Sequence, residues 1–368
     1  MTGAGLRVAD MASYLAATGW RRLPETWRGA SVWANAAGYE ALIPARDGLD
    51  DSDRRASEFL ETLAKAESRT PEEIAEDIAS PMMDTQSVRA FPRATPSGYV
   101  SLAAGLRALN GIRSMIAVAA RSELEGQRLA YYGKHDGADS VLDVVQLGPT
   151  KPGSYIFTMR VPAERPAGQE LLLDHRGYLP RRSLLRLSHA IGAAHEAIVS
   201  ERGLPAFDLA VEAGVSANLC EALSDLSGIH RQEPFEVGFR WARGRPADVP
   251  SRSMAFSAGA GLVLRDAAAR LRKLDSSGRA VVTGLVESLH DDRRGDDRRR
   301  IRVRGDMHST DVNIRDERTI WLRLGPDDYE RAVEAHLRRR PVRASGTKTQ
   351  IGRRTELIVP TGGFELLD

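Results

Sequence analysis

The 368-residue chain holds a single cysteine, Cys220. One cysteine excludes an internal disulfide framework and any cysteine-rich zinc or iron–sulfur site. Within the run Val215–Leu226 it reads as a small buried hydrophobe. Long apolar runs are missing too. The best candidate, around Ile112–Ala120, falls well short of the roughly 18–20 residues a membrane span needs. Met1–Asp10 has no basic segment leading into an apolar core, so no secretory signal is expected. The expectation is a soluble cytoplasmic protein with no membrane partner. A strong excess of one charge is also lacking: the formal net charge is +2, which excludes a uniformly polybasic coat for nucleic acid.

The motifs that mark catalysis are absent as well. There is no Gly-x-x-x-x-Gly-Lys-Ser/Thr for a nucleotide's phosphates and no His-Glu-x-x-His for zinc. No cofactor and no metal are therefore expected. Gly214-Val215-Ser216-Ala217 lacks the second glycine of a nucleophile elbow, and Ser216 reads as a helix N-cap. His189 and His195 lie six residues apart on one helix, about 240° around its axis, and share no face. Gly259-Ala260-Gly261 reads as close packing, not an anion cradle. Asp291, Asp292, Asp296 and Asp297 are interleaved with arginines and read as a solvated loop. The turn Gly148–Gly153 presents Lys151 between two prolines and reads as a tight strand connection. The balance leans away from an enzyme. If a site were assembled from distant segments, its candidates would be Lys151, Tyr155, His175, His189 and Arg240.

What is present is uneven charge and a change of pattern along the chain. Net charge is −5 over residues 1–89, +4 over 90–278 and +3 over 279–368, which points to separate modules. The expected class is α+β and multidomain: an acidic module at 1–80, a linker at 81–98, a central α/β body at 99–277 and a small β-barrel at 278–368. In the first module Gly19 ends a short helix, Asn35–Gly38 joins two strands, and Thr70-Pro71-Glu72-Glu73 opens a capped helix. Trp20, Trp27 and Trp33 read there as core or protein-contact residues.

In the central body Leu102, Leu106, Leu109, Ile112, Ile116 and Ala120 form a helical stripe. Strands are expected at 140–147, 154–161, 235–241 and 254–257, and helices at 183–200, 209–226 and 262–274. An antiparallel sheet with helices packed on one side should result. The last module reads β-β-β-α-β-β. Arg302 and Arg304, two apart on a strand, share one face.

Two resemblances follow from these patterns. The order helix–three strands–helix in the first module resembles the double-stranded-RNA-binding and HicA-type interferase units. The interferases place a catalytic His on their second strand after Gly-Ser. Here Gly29-Ala30-Ser31-Val32 has none, and no His precedes His135, so RNA cleavage by that route is not expected. The last module, with Val342-Arg343-Ala344-Ser345-Gly346 before a polar turn and a second strand, resembles an OB-fold.

That resemblance implies nucleic-acid binding through Arg298, Arg300, Arg302, Arg304, Arg340, Arg343, Lys348, Arg353 and Arg354, with Trp321 and Phe364 able to stack on bases. The functional expectation is a non-catalytic accessory protein that binds DNA, RNA or a nucleic-acid-processing complex, in a bacterial setting such as genome maintenance or phage defence. A protein-only adaptor or structural subunit is the alternative, and an enzyme with its site in the central body is a third.

Overall fold

A computed structural model describes residues 6–92, 95–96, 98–148, 155–165, 173–174, 176–291, 299–309, 314–351 and 354–367. The chain divides into two compact units. The first takes residues 1–85, a short return at 160–164 and a loop at 240–251.

The first unit opens with α1 (Val8–Ala17), β1 (Arg21–Trp27), β2 (Ala30–Ala34), β3 (Glu40–Ile43), α2 (Ser52–Glu67) and α3 (Pro71–Ala79). The strands form an antiparallel sheet in the order β1-β2-β3. Gly19, at φ +81°, lets the chain leave α1 in the left-handed region. Thr70 and Glu73 form the expected reciprocal cap of α3, each side chain bonding the other's backbone N–H. Tyr14, Leu15, Trp20, Trp33, Phe59, Leu63 and Ile74 make the core, while Trp27 is exposed.

The two inserted segments are bonded to the end of this module. Ala163 N–H donates to Met82 O (2.8 Å), Gly244 N–H to Pro81 O (2.8 Å) and Ala242 N–H to Asp84 Oδ1 (2.7 Å). A half-buried ionic cluster adds to this. Asp77 accepts from Arg69 (2.8 Å) and Arg240 (2.9 Å), and Tyr14 is bonded to Glu67 (2.8 Å) and Arg243 (2.9 Å). Burial holds the Tyr14 phenol far above its ordinary range, so it stays protonated.

The second unit contains the rest. Its elements are β4 (Met83–Ala90), α4 (Leu102–Glu125), α5 (Asp136–Asp139), β5 (Gln146–Leu147), β6 (Tyr155–Pro162), β7 (Leu173–Asp174), β8 (Gly177–Tyr178), α6 (Leu179–Val199), α7 (Pro205–Ala210), α8 (Ala217–Ser224), β9 (Phe235–Arg240), β10 (Arg252–Phe256) and α9 (Ala260–Ser276). The first residues of β4 and the last of β6 and β9 count with the first unit. The central sheet is antiparallel, in the order β10-β9-β4-β6-β5.

Phe235 and Phe256 stack at 4.4 Å between centroids on its helix-covered face. Arg252 reaches from that face to Ser188 of α6. Glu123 of α4 holds Arg182 (3.1 Å) and Arg186 (2.8 Å) of α6. Ser216 caps α8 as expected, accepting from Leu219 N–H at 3.2 Å.

Three expectations need correction. Residues 140–147 are mostly helical: α5 runs into a 3₁₀ turn, Ser140–Asp143, and only Gln146–Leu147 is strand. Asp139 and Asp143 break the apolar run Val141-Leu142 and Val144-Val145, and such short runs do not distinguish strand from helix by period. The single helix expected at 209–226 is broken at Gly214, where φ is +101°, into α7 with a 3₁₀ turn and then α8. Residues 81–98, expected as a linker holding at most a short strand at 87–91, carry β4, the longer middle strand of the central sheet, with Asp84, Gln86 and Val88 fully buried.

The chain then enters a closed barrel: β11 (Gly278–Asp291), β12 (Arg299–Ser309), β13 (Ile314–Arg323), α10 (Pro326–Arg338), β14 (Val342–Ile351), β15 (Arg354–Ile358) and a short β16 (Phe364–Leu366). The order is β11-β12-β13-β15-β14, and β14 returns to β11 to close it. Pairing is antiparallel except between β13 and β15. A closed five-strand barrel with a helix between its third and fourth strands fits the OB-like architecture expected.

Ala280, Val282, Ile301, Val303, Met307, Leu322, Val342, Ala344, Leu357 and Phe364 fill it. Gly284 and Gly305 face each other across β11 and β12, and a Cβ on either would collide with the partner strand's backbone. This close crossing needs glycine on both strands.

Candidate functional site

Alternation along β12 decides which side chains leave the barrel. Ile301, Val303 and Met307 point in, so Arg300, Arg302 and Arg304 share the outer face. Register with β13 sets Arg300 opposite Arg323, Arg302 opposite Trp321 and Arg304 opposite Thr319. On the other side β11 sets His290 beside Arg300 and Leu285 beside Arg304.

Trp321 is the centre of this surface. Its ring lies 4.8 Å from the His290 ring, and the guanidinium carbons of Arg300 and Arg354 stand 5.8 and 5.9 Å from its centroid. Cations at this range over an indole gain about 0.5–1 kcal/mol each at exposed sites. The result is a half-buried aromatic plate rimmed by positive charge.

Carboxylates temper it. Glu287 pairs with Arg302 (3.0 Å) and Glu317 with Arg304 (3.6 Å). Glu356, buried at 3% exposure, holds Arg323 at 2.5 Å and lies 4.0 Å from Arg300. The two groups differ in kind. Arg304 and Glu317 are 65% and 66% exposed, and such pairs contribute about 1 kcal/mol or less. A phosphate can displace them at little cost. Glu356 lies on this outer face beside Trp321, covered by its neighbours, and fixes Arg323 in place.

The expected site residues therefore divide. Arg300, Arg302, Arg304, Trp321 and Arg354 are brought together on the outer face of β12, β13 and β15. Arg343 is exposed on β14, opposite Thr283 of β11 and Glu365 of β16, on another side of the closed barrel. Arg340 donates to Leu367 O (3.2 Å) near that strand's start. Arg298 and Arg353 lie outside the described residues.

Lys348 and Phe364 are placed otherwise than expected. Phe364 is fully buried in the barrel core and offers no ring to a base. Lys348 is 2% exposed and turned inward, its Nζ donating to Leu274 O (2.8 Å) and Ser309 Oγ (3.0 Å). Leu274 is in the last turn of α9, so this ammonium caps the negative end of a helix. Arg318 assists by bonding Asp275 at 3.0 Å. The barrel is thus fastened to α9 by cations of its own strands.

Sequence reasoning missed a groove at this junction. Tyr132, Arg272, Lys273, Asp275, Arg318 and Thr319 lie on its wall, and its volume is about 550 Å³. The Tyr132 phenol is pushed up to about 12, first by desolvation and then by the neighbouring Asp275 carboxylate, to which it hydrogen-bonds. These residues come from three separate segments, so no local signature announced them. Only the pair Tyr131-Tyr132 before Gly133 offered a sign, and of the two it is Tyr132 that is exposed while Tyr131 is buried.

The alternative catalytic set is not assembled among the described residues. Lys151 and His175 fall outside them. Tyr155 packs edge-on against Phe157, His189 is exposed on α6, and Arg240 is paired with Asp77 in the first unit. Cys220 is fully buried, and desolvation raises its thiol pKa far above the ordinary value, which makes it a poor nucleophile. Gly261 packs directly on Ser227, in keeping with a structural role. Among the described residues no cluster of three or more His, Cys, Asp or Glu could hold a metal ion, and no helix is long and apolar enough to cross a membrane.

Comparison of the chain with protein-family models, with curated proteins and with solved structures returns no match.

Proposed function

We propose that the outer face of β12, β13 and β15 binds single-stranded nucleic acid, and that the chain serves as a non-catalytic accessory to a nucleic-acid-processing complex. The observation carrying this reading is Trp321, set on the outside of a closed barrel between Arg300, Arg354 and His290. Proteins that hold single strands without sequence preference combine an aromatic plate for bases with cations for the backbone. OB-type barrels do so on the face of their second and third strands, which are β12 and β13 here. Single strands suit the site better than duplex, because a ring lying on a sheet can stack only on an unpaired base.

The test is fluorescence anisotropy of the full chain with a labelled oligothymidylate and an oligouridylate. Trp321→Ala should weaken binding by about tenfold or more. Arg302→Glu with Arg304→Glu should abolish it. Equal affinity of all three proteins would contradict the proposal.

A protein-only adaptor is the second reading, favoured by one observation. Tyr99, Leu102 and Leu106 are exposed at the start of α4, where the apolar stripe runs out beyond the core. Light scattering and pull-down from nuclease-treated lysate separate the two: a partner retained without nucleic acid supports the adaptor.

A further inference from the structure

We infer that a strand lying on the Trp321 face continues past Thr319 into the groove between the barrel and α9, where one more nucleotide is held with its base on Tyr132 and its phosphate at Lys273. This deepens the reading of the Trp321 face and rests on it.

The path follows from register. Thr319 and Trp321 are two residues apart on β13 and share a face, so a chain crossing Trp321 along the strand reaches Thr319 about 7 Å on. Thr319 is itself part of the groove wall. The groove's volume, about 550 Å³, is in the range of small-molecule sites.

Its chemistry suits a nucleotide. Tyr132 is 56% exposed and lies on the groove wall beside Asp275. Arg272 stands 5.9 Å from that ring and is itself fixed by a two-point pair with Glu221, at 2.9 and 2.6 Å. Lys273 is exposed beside it. The one carboxylate on the wall, Asp275, is matched by Arg318. The α9 carbonyls that would repel a phosphate are capped at Leu274 by the buried Lys348. An aromatic ring together with cations favours a nucleotide over a free phosphate, which needs no ring.

The experiment uses the full chain and labelled oligothymidylates of about 6 and about 15 nucleotides, lengths that bracket one barrel's site. Tyr132→Leu should weaken the longer probe about tenfold and leave the shorter one unchanged. Lys273→Glu should act likewise, and Tyr132→Phe should bind as wild type, since the ring remains. Unchanged affinity of Tyr132→Leu and Lys273→Glu for both probes, with loss in Trp321→Ala, would overturn the groove while leaving the barrel face standing. Failure of the wild-type chain to bind either probe would overturn both.

Discussion

Lys348 and Arg302 carry the same charge on strands of one barrel, yet only Arg302 can meet a ligand. The difference is parity. Lys348 shares its alternation with Val342 and Ala344, so its ammonium enters the barrel and finds Leu274 O and Ser309 Oγ. Arg302 alternates with Ile301 and Val303 and faces out. A buried ammonium whose acceptors lose it leaves unsatisfied carbonyl and hydroxyl groups, each costing about 1–3 kcal/mol. Lys348→Met should therefore lower stability by about 2 kcal/mol in a urea titration while the remaining folded fraction binds oligonucleotide normally; loss of binding without loss of stability would mean that the side chain reaches the ligand. Glu287 and Glu317 act in the other direction. They compete for Arg302 and Arg304 on the surface. The double change Glu287→Gln with Glu317→Gln should tighten oligonucleotide binding and steepen its salt dependence, measured by anisotropy between about 50 and about 200 mM salt. Weaker binding would show that the acids position the arginines instead of masking them.

At the scale of elements, the strand pattern of the barrel and the caps of α3 and α8 were legible because each rests on short-range chemistry: alternation, a capping box, an N-cap serine. Parity alone would also have placed Lys348 inside, since Val342, Ala344 and Lys348 are spaced by twos. The pairing that closes the barrel was not legible. It turns β14, and with it Arg343, away from the β12–β13 face, and nothing local to Arg343 encodes that direction. The stretch 140–147 was misread for a related reason, because a short apolar run carries no period of its own. In the first unit, Asp77 and Glu67 gather Arg69, Arg240 and Arg243 from segments more than a hundred residues apart. The loop at 240–251 is bonded there by Arg240, which the sequence offered as a candidate for a catalytic site, and by Arg243.

At the scale of the molecule, net charge is a poor guide. The whole chain is nearly neutral and its last ninety residues carry only +3. What matters is that β12, β13 and β15 collect Arg300, Arg302, Arg304 and Arg354 around one indole, while most of the acids beside them are exposed and weakly held. The barrel and the central body belong to one compact unit, joined through Lys348, Arg318 and Asp275, so binding studies belong on the full chain. The most direct measurement is photocrosslinking of a halogenated oligouridylate to that chain, followed by mass spectrometry of the modified peptides. Adducts concentrated on the peptide containing Trp321 are the expected result. Adducts confined to other peptides, or none at saturating oligonucleotide, would contradict the assignment of this face.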